Sequence, residues 1–437
     1  MKKYLLNSYL LAAATAMLLL ASCRKDDHPD QSENPSGYSS EVLDKWMSLQ
    51  LRLMRNATGI PNQAFSRHFA YSGAAALESM APGLPMHWKW SSKWNGLTGL
   101  PAAGNKKNYY YPANVNAAMA AINRSFFPNA SPADKASIDS LENALTQEFM
   151  ATQSQAKLNL SAQFGKAVAA AIFAWSETDG YKNASNPYTA PSGPGLWKPT
   201  PPANAAPLTP YWGANRPMIT GSTDNTQPAP PTPYSIQPSS PFYLMVKQVY
   251  DVSATLTEDQ KAMAIFWRDV PGVSSPGHWL SILQQLVRKS CASLDKAALA
   301  YALTGTALND ALISCFKAKY HYNLVRPVTY IREVIGQEGW NSFIGTPAHP
   351  EYPSAHSSLS AAAAAVLDKL FSKAGPFTDH TYDYLGYQPR SYQSLIAIGN
   401  EAGQSRLYAG IHYQPSIDAG LWQGRKVADN IFQKQQH

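Results

Sequence analysis

The stretch Lys319-Tyr320-His321-Tyr322-Asn323-Leu324-Val325-Arg326-Pro327 sets a lysine seven residues before an arginine that a proline follows. Seven residues are about two helical turns, or ~10 Å of rise, so on one helix both cations share a face and can converge on one point. A solvated basic face explains this stretch equally well by itself, because Lys317 lies beside it. Two further segments change the balance. Pro353-Ser354-Ala355-His356 precedes the apolar run Leu359–Leu367, which puts Ser354 at a helix N-cap and His356 in the first turn. Such a terminus offers unpaired N–H groups and the positive end of a dipole, a natural anion site. Ser405-Arg406 ends a predicted helix, Gly410 lets the chain bend, and His412 follows. A guanidinium presents a planar fork to oxyanion oxygens.

Together the three segments supply three cations (Lys319, Arg326, Arg406), the Ser354 hydroxyl, the Ala355 N–H and two histidines. That set suits a tetrahedral oxyanion, with one imidazole on its central atom and another exchanging protons with it. The order and spacing resemble the superfamily of type-2 phosphatidic acid phosphatases and vanadium-dependent haloperoxidases, specifically over residues 319–412. The helical, aromatic-rich chain before them is more similar to the large bacterial haloperoxidase-like members. The resemblance implies an all-α helical bundle. It also implies that Lys319, Arg326 and Arg406 balance the oxyanion charge and that Ser354 and the Ala355 N–H bond its oxygens. His412 becomes the axial vanadium ligand or the phosphatase nucleophile, and His356 the acid–base group.

Two positions depart from the family pattern. Ala355 stands where glycine is usual. Ser416 occupies the place of an aspartate four residues after the last histidine, which leaves Asp418 as the nearest carboxylate. Without a carboxylate on His412, nucleophilic chemistry suffers more than vanadate coordination, which tilts the expectation toward a haloperoxidase. Asp269 and His278 are second-tier candidates, the first to pair with a pocket arginine and the second to line the entrance. Asp310, on the Lys319 helix, His321 and Glu351 are further possibilities.

The leading expectation is therefore a vanadate-dependent enzyme that oxidises halide with hydrogen peroxide. The alternative is an acid phosphatase on phosphate monoesters or lipid phosphates, with no cofactor. A non-catalytic surface lipoprotein that binds a ligand is a third reading, suggested by 11 tryptophans and 24 tyrosines.

The rest of the chain frames these segments. It has 437 residues, 45% apolar and 15% charged, enough for a sizeable core. A net charge of +7 without a basic run or helix fits a small anionic substrate and argues against nucleic acid. Lys2 and Lys3 before an apolar stretch ending Leu18-Leu19-Leu20-Ala21-Ser22-Cys23 resemble a lipoprotein signal. That implies removal of residues 1–22, lipidation of Cys23 and attachment to the membrane at the bacterial outer envelope. Residues 23–38 then read as a spacer and 39–437 as one all-α domain with its oxyanion-binding core at 306–433. Within it, residues 187–241 hold 15 of the 33 prolines, too many for helix or ladder, and read as an ordered loop pinned by Trp197, Tyr211, Trp212 and Tyr234. Helices are expected from about Glu41 and over Ala113–Asn123, Ala133–Thr152, Phe164–Trp175, Pro241–Val252, Glu258–Arg268, Trp279–Ser290, Asp295–Tyr330, Ser357–Ser372, Tyr392–Tyr408 and Ser416–Gln433. Cys291 and Cys315 are candidates for a disulfide in an oxidising compartment.

Overall fold

The computed structural model describes residues 33–270 and 272–435. The proposed signal segment and Cys23 lie outside them. Among the described residues there are thirteen α-helices and one short hairpin, as the all-α expectation requires. The helices are α1 Glu41–Asn56, α2 Ala64–Glu78, α3 Tyr111–Phe126, α4 Pro132–Met150, α5 Gln155–Ser176, α6 Pro241–Ala254, α7 Glu258–Phe266, α8 Ser275–Lys289, α9 Leu294–Tyr322, α10 Pro327–Glu333, α11 Ala355–Leu370, α12 Leu395–Tyr408 and α13 Gln414–Gln435. The hairpin pairs β1 (Phe377–Asp379) antiparallel to β2 (Arg390–Tyr392), Thr378 opposite Ser391. Tyr392 therefore starts no helix; α12 begins after it, where the Ser394 hydroxyl caps the Ala397 N–H.

The central element is α9, buried at nearly every position from Leu294 to Lys319. It crosses α2 so closely that a Cβ on Gly305 would stand 2.7 Å from the Ala70 backbone, and one on Gly73 2.6 Å from Ala302. This explains why α2 shows no amphipathic stripe: all fifteen of its residues are buried. The other side of α9 meets α11, which also packs on α12 and α13. One hydrophobic cluster draws on residues from Val42 to Phe432. Among the described residues, no helix is long and apolar enough to cross a membrane.

The proline-rich segment lies along α9. Asp310 accepts hydrogen bonds from the Met218 N–H and the Ser222 hydroxyl at 2.8 and 2.6 Å, and the Thr226 and Ser314 hydroxyls meet at 2.6 Å. Trp197 and Trp212 are buried, Tyr234 is half-buried and Tyr211 is exposed.

One expected helix is broken. Asp295–Tyr330 is not continuous: α9 stops at Tyr322, and Asn323 adopts a left-handed turn with φ +46°. Leu324–Val325 then run extended, held by the Val325 N–H on Gly195 O and the Glu351 N–H on Leu324 O. Arg326 is the N-cap of α10, with Pro327 at its first position. Cys315 is a buried free thiol, so the Cys291–Cys315 bridge does not form.

Candidate active site

Where α9, α11 and α12 meet, a cavity of about 570 Å³ opens. Ala355, His356, Arg406, His412 and His349 line it, and Asp269 and Arg268 stand in its wall. Arg326 and Lys319 lie behind that wall. Lys319 sits in the last turn of α9 and Arg326 beyond the break, so they converge because the chain turns between them, not because they share a helix face.

All three cations are buried. Lys319 Nζ donates to the Pro350 and Glu351 carbonyls, each at 2.8 Å. Arg326 donates from Nε to His349 O and from Nη1 to Ile411 O, both at 2.9 Å, and Nη1 also reaches His412 Nε2 at 3.3 Å. Arg406 Nε donates to Ser405 Oγ at 3.0 Å. These donors are spent on neutral oxygens, so the charges stay without a direct carboxylate partner. Burial accordingly pulls Lys319 down to about 7 and both arginines to about 10. A bound oxyanion would reverse that penalty.

Ser354 caps α11: its Oγ accepts from the Ser357 N–H, and its own N–H donates to Ser416 O. The first helical bond runs from the Ser358 N–H to Ser354 O, which leaves the Ala355 and His356 N–H groups at the cavity end of the helix for an anion. Ala355 forms part of the lining where its Cβ narrows the cup.

Gly410, at φ +75°, turns the chain out of α12 and aims His412 inward. His412 Nδ1 lies 2.7 Å from Glu351 Oε1. A carboxylate only accepts, so Nδ1 carries the proton and Nε2 keeps its lone pair. Glu351 also accepts from the Tyr413 N–H at 3.0 Å and the Ser416 hydroxyl at 2.6 Å. Burial raises Glu351 to about 7 against the opposing pull of Ser416, Lys319 and Arg326. Burial and then Arg326 and Lys319 keep His412 neutral, far below the usual imidazole range.

His356 Nε2 is 3.1 Å from the Trp267 carbonyl, so Nε2 carries the proton and Nδ1 is the free base. Burial, then Arg406, lowers it to about 4. Asp269 Oδ1 lies 3.6 Å from His356 Nε2 and accepts from the Ser275 N–H. Its near side-chain neighbour is thus the neutral histidine; its field also reaches Arg406.

Two candidates fall elsewhere. Asp418 is exposed on α13 and accepts from Gln414 Nε2 at 2.9 Å, because the regular helix that starts at Gln414 carries it away. Glu351, three residues before Ser354, occupies the position expected of Asp418. His278 does not line the entrance. It is buried, bonded to Asp379 Oδ2 at 2.7 Å and stacked on Trp267 at 4.2 Å. Through Trp267 it supports the carbonyl that orients His356. His349 had no signal in the sequence; it lines the cavity with Nδ1 3.1 Å from Arg326 Nη2.

Residues 299–437 match the family model of the VCPO second helical-bundle domain. The solved structure described as the first bacterial vanadium-dependent iodoperoxidase is 30% identical; the alignment covers 93% of this chain and 98% of that one, with a TM-score of 0.81. Holo- and apo-type bacterial vanadium-dependent chloroperoxidases share the fold at 16% and 15% identity. They align over 88% and 87% of this chain and 93% and 95% of theirs, with TM-scores of 0.66 and 0.64. No curated protein matches the chain.

Proposed function

The chain belongs to the superfamily of vanadium-dependent haloperoxidases and type-2 phosphatidic acid phosphatases, and from that premise we propose that it is a vanadate-dependent haloperoxidase that oxidises halide with hydrogen peroxide. One observation carries the reading: a neutral imidazole, fixed by Glu351, turns its Nε2 lone pair to a buried cup of cations that have no direct carboxylate partner.

The donor set fits vanadate. His412 Nε2 would hold the metal, Lys319, Arg326 and Arg406 its negative oxygens, and Ser354 with the Ala355 N–H the remaining ones. When bound, vanadate supplies a Lewis acid that activates peroxide without changing oxidation state. The chain's part is to hold charge and move protons. Glu351 keeps the proton on His412 Nδ1, so Nε2 stays a donor. Arg326 Nη1, which contacts Nε2, is placed to turn to an anion oxygen. His356 takes and returns a proton at Nδ1 while Nε2 stays on the Trp267 carbonyl. The walls Leu312, Phe316, Leu359 and Ile411 are apolar, and a lower local dielectric strengthens each of these interactions.

The test is reconstitution with orthovanadate, followed by peroxide-dependent oxidation of iodide and bromide. Activity is expected to need vanadate and to vanish in His412→Ala. Turnover that survives either omission refutes the assignment.

Glu351 also favours a second reading. A carboxylate on Nδ1 is what a nucleophilic histidine needs, so phosphate ester hydrolysis through His412 remains chemically sound. Trapping a phosphohistidine that His412→Ala abolishes would support it. We also propose attachment to the bacterial outer membrane through Cys23, supported by the Leu18–Cys23 signal; fatty-acid labelling retained in Cys23→Ser would refute this.

A further inference from the structure

A second cavity, of about 400 Å³, adjoins the catalytic one. They share a wall: residues 57–60 face the second cavity and residues 61–63 the first. Its sides are the rings of Phe126, Phe127, Phe173 and Tyr181, and α2 adds Arg67 and His68.

The charges around this cavity are already engaged. Arg67 Nε pairs with Asp179 at 2.6 Å, and Nη2 donates to Ser176 O. Glu177 pairs with Lys182 at 2.8 Å. Asp134 accepts from Asn56 Nδ2 and from the Ser131 hydroxyl. His68 differs. It is 4% exposed, and neither ring nitrogen is hydrogen-bonded to a described residue; Nδ1 is buried outright. Its ring stacks on Phe126 at 4.6 Å, with Phe127 and Phe65 edge-on. Burial and Arg67 hold its pKa near 3, so the imidazole is neutral and offers one donor and one acceptor.

A buried polar side chain left unpaired is uncommon in folded proteins, and a ring-lined cavity with a small number of polar groups is the usual form of a small-molecule site. We propose that this second cavity binds an uncharged aromatic molecule carrying one hydroxyl, of the phenol class. The ring lies among Phe126, Phe127, Phe173 and Tyr181, and the hydroxyl meets Nε2 of His68, the ring nitrogen that is unpaired and not sealed off as Nδ1 is. An anionic ligand is disfavoured, because Asp134 and Glu177 face the cavity and Arg67 is spent on Asp179.

The experiment is calorimetric titration of the vanadate-free full chain with 2-naphthol and, separately, 2-naphthoate. His68→Phe keeps the stacked ring and removes the nitrogens; Phe173→Trp enlarges a ring that lines the cavity and so takes up its space. The expected result is naphthol binding at least tenfold tighter than naphthoate, weakened at least tenfold by each variant. Peroxide-dependent iodide oxidation should stay within twofold of the parent in both, which separates this site from the catalytic one. No naphthol binding, equal binding of naphthoate, or naphthol affinity unchanged in either folded variant overturns the proposal. Should His68→Phe fail to fold, Phe173→Trp alone decides.

Discussion

Replacing Glu351 by glutamine isolates what its charge does. The swap is nearly isosteric. Glutamine Oε1 can accept from His412 Nδ1–H and the Tyr413 N–H, now 2.7 and 3.0 Å from the carboxylate, and its amide can donate to Ser416 Oγ. Two consequences oppose each other. The hydrogen bond to Nδ1 loses its charge assistance, so Nε2 becomes a weaker donor; disturbing such a supporting partner typically costs ten- to a hundredfold in metal affinity. Meanwhile a negative charge leaves a cup already rich in cations. At an effective dielectric of about 20 and a separation of about 7 Å, its repulsion of a bound anion is worth about 2 kcal/mol. Both vanadate and phosphate are relieved of that repulsion, but only vanadate needs the dative bond. The expectation is therefore a ratio: vanadate-to-phosphate affinity falls ten- to a hundredfold in Glu351→Gln, while phosphate binds equally or several-fold more tightly. Calorimetric titration of each anion at pH 8 measures both constants. A ratio equal to the parent's would mean that Glu351 does not act through His412, and the reasoning from the 2.7 Å contact would be refuted.

Asp418→Asn should leave kcat/KM within twofold, because that carboxylate faces solvent and Gln414; a tenfold loss would return Asp418 to the site. Lys319, at about 7 in the fold against about 10.5 unfolded, makes the unfolded chain bind the extra proton between those values. Stability of the anion-free protein should therefore rise with pH across that window, by up to about 1.4 kcal/mol per unit, and Lys319→Met should remove this rise. Parallel denaturant midpoints for parent and variant from pH 7 to 9.5 would contradict it. Gly305→Ala drives a methyl to 2.7 Å from the Ala70 backbone, so it should cost about 1–3 kcal/mol or more and lower the Tm, with vanadate affinity of the folded fraction unchanged; an unaltered melting curve would count against the close crossing of α2 and α9.

The candidate site was legible because the residues that the fold brings together are of types that are costly to bury: three cations, a capping hydroxyl and two histidines at fixed spacings. What escaped the sequence did so for identifiable reasons. Helix periodicity cannot find α2, which is buried on every side and presents no stripe. The β1–β2 hairpin pairs three residues on each strand, too few to show an alternation. The Lys319–Arg326 spacing suggested a shared helix face, yet tertiary contacts from Gly195 and Glu351 pull Leu324 and Val325 into an extended link and end α9 early. Register arithmetic sought the carboxylate downstream of His412. The fold supplies it from Glu351, 61 residues upstream and in a loop that no period predicts.

That exchange of carboxylates bears on what the cup can do. A partner downstream on the helix would sit beside His412 alone. Glu351 instead belongs to the segment His349–Glu351, whose carbonyls take the Nε proton of Arg326 and two protons of Lys319. One short stretch therefore fixes His412 through a side chain and two of the cations through its backbone. An anion drawn in by Arg326 or Lys319 loads the same three residues that hold His412 in place. Protonation of Lys319, whose charge burial opposes, then becomes more favourable with that anion present. Charge, ligand orientation and occupancy are in this way tied to one loop, which is why changing Glu351 should alter the choice between vanadate and phosphate and not merely weaken both.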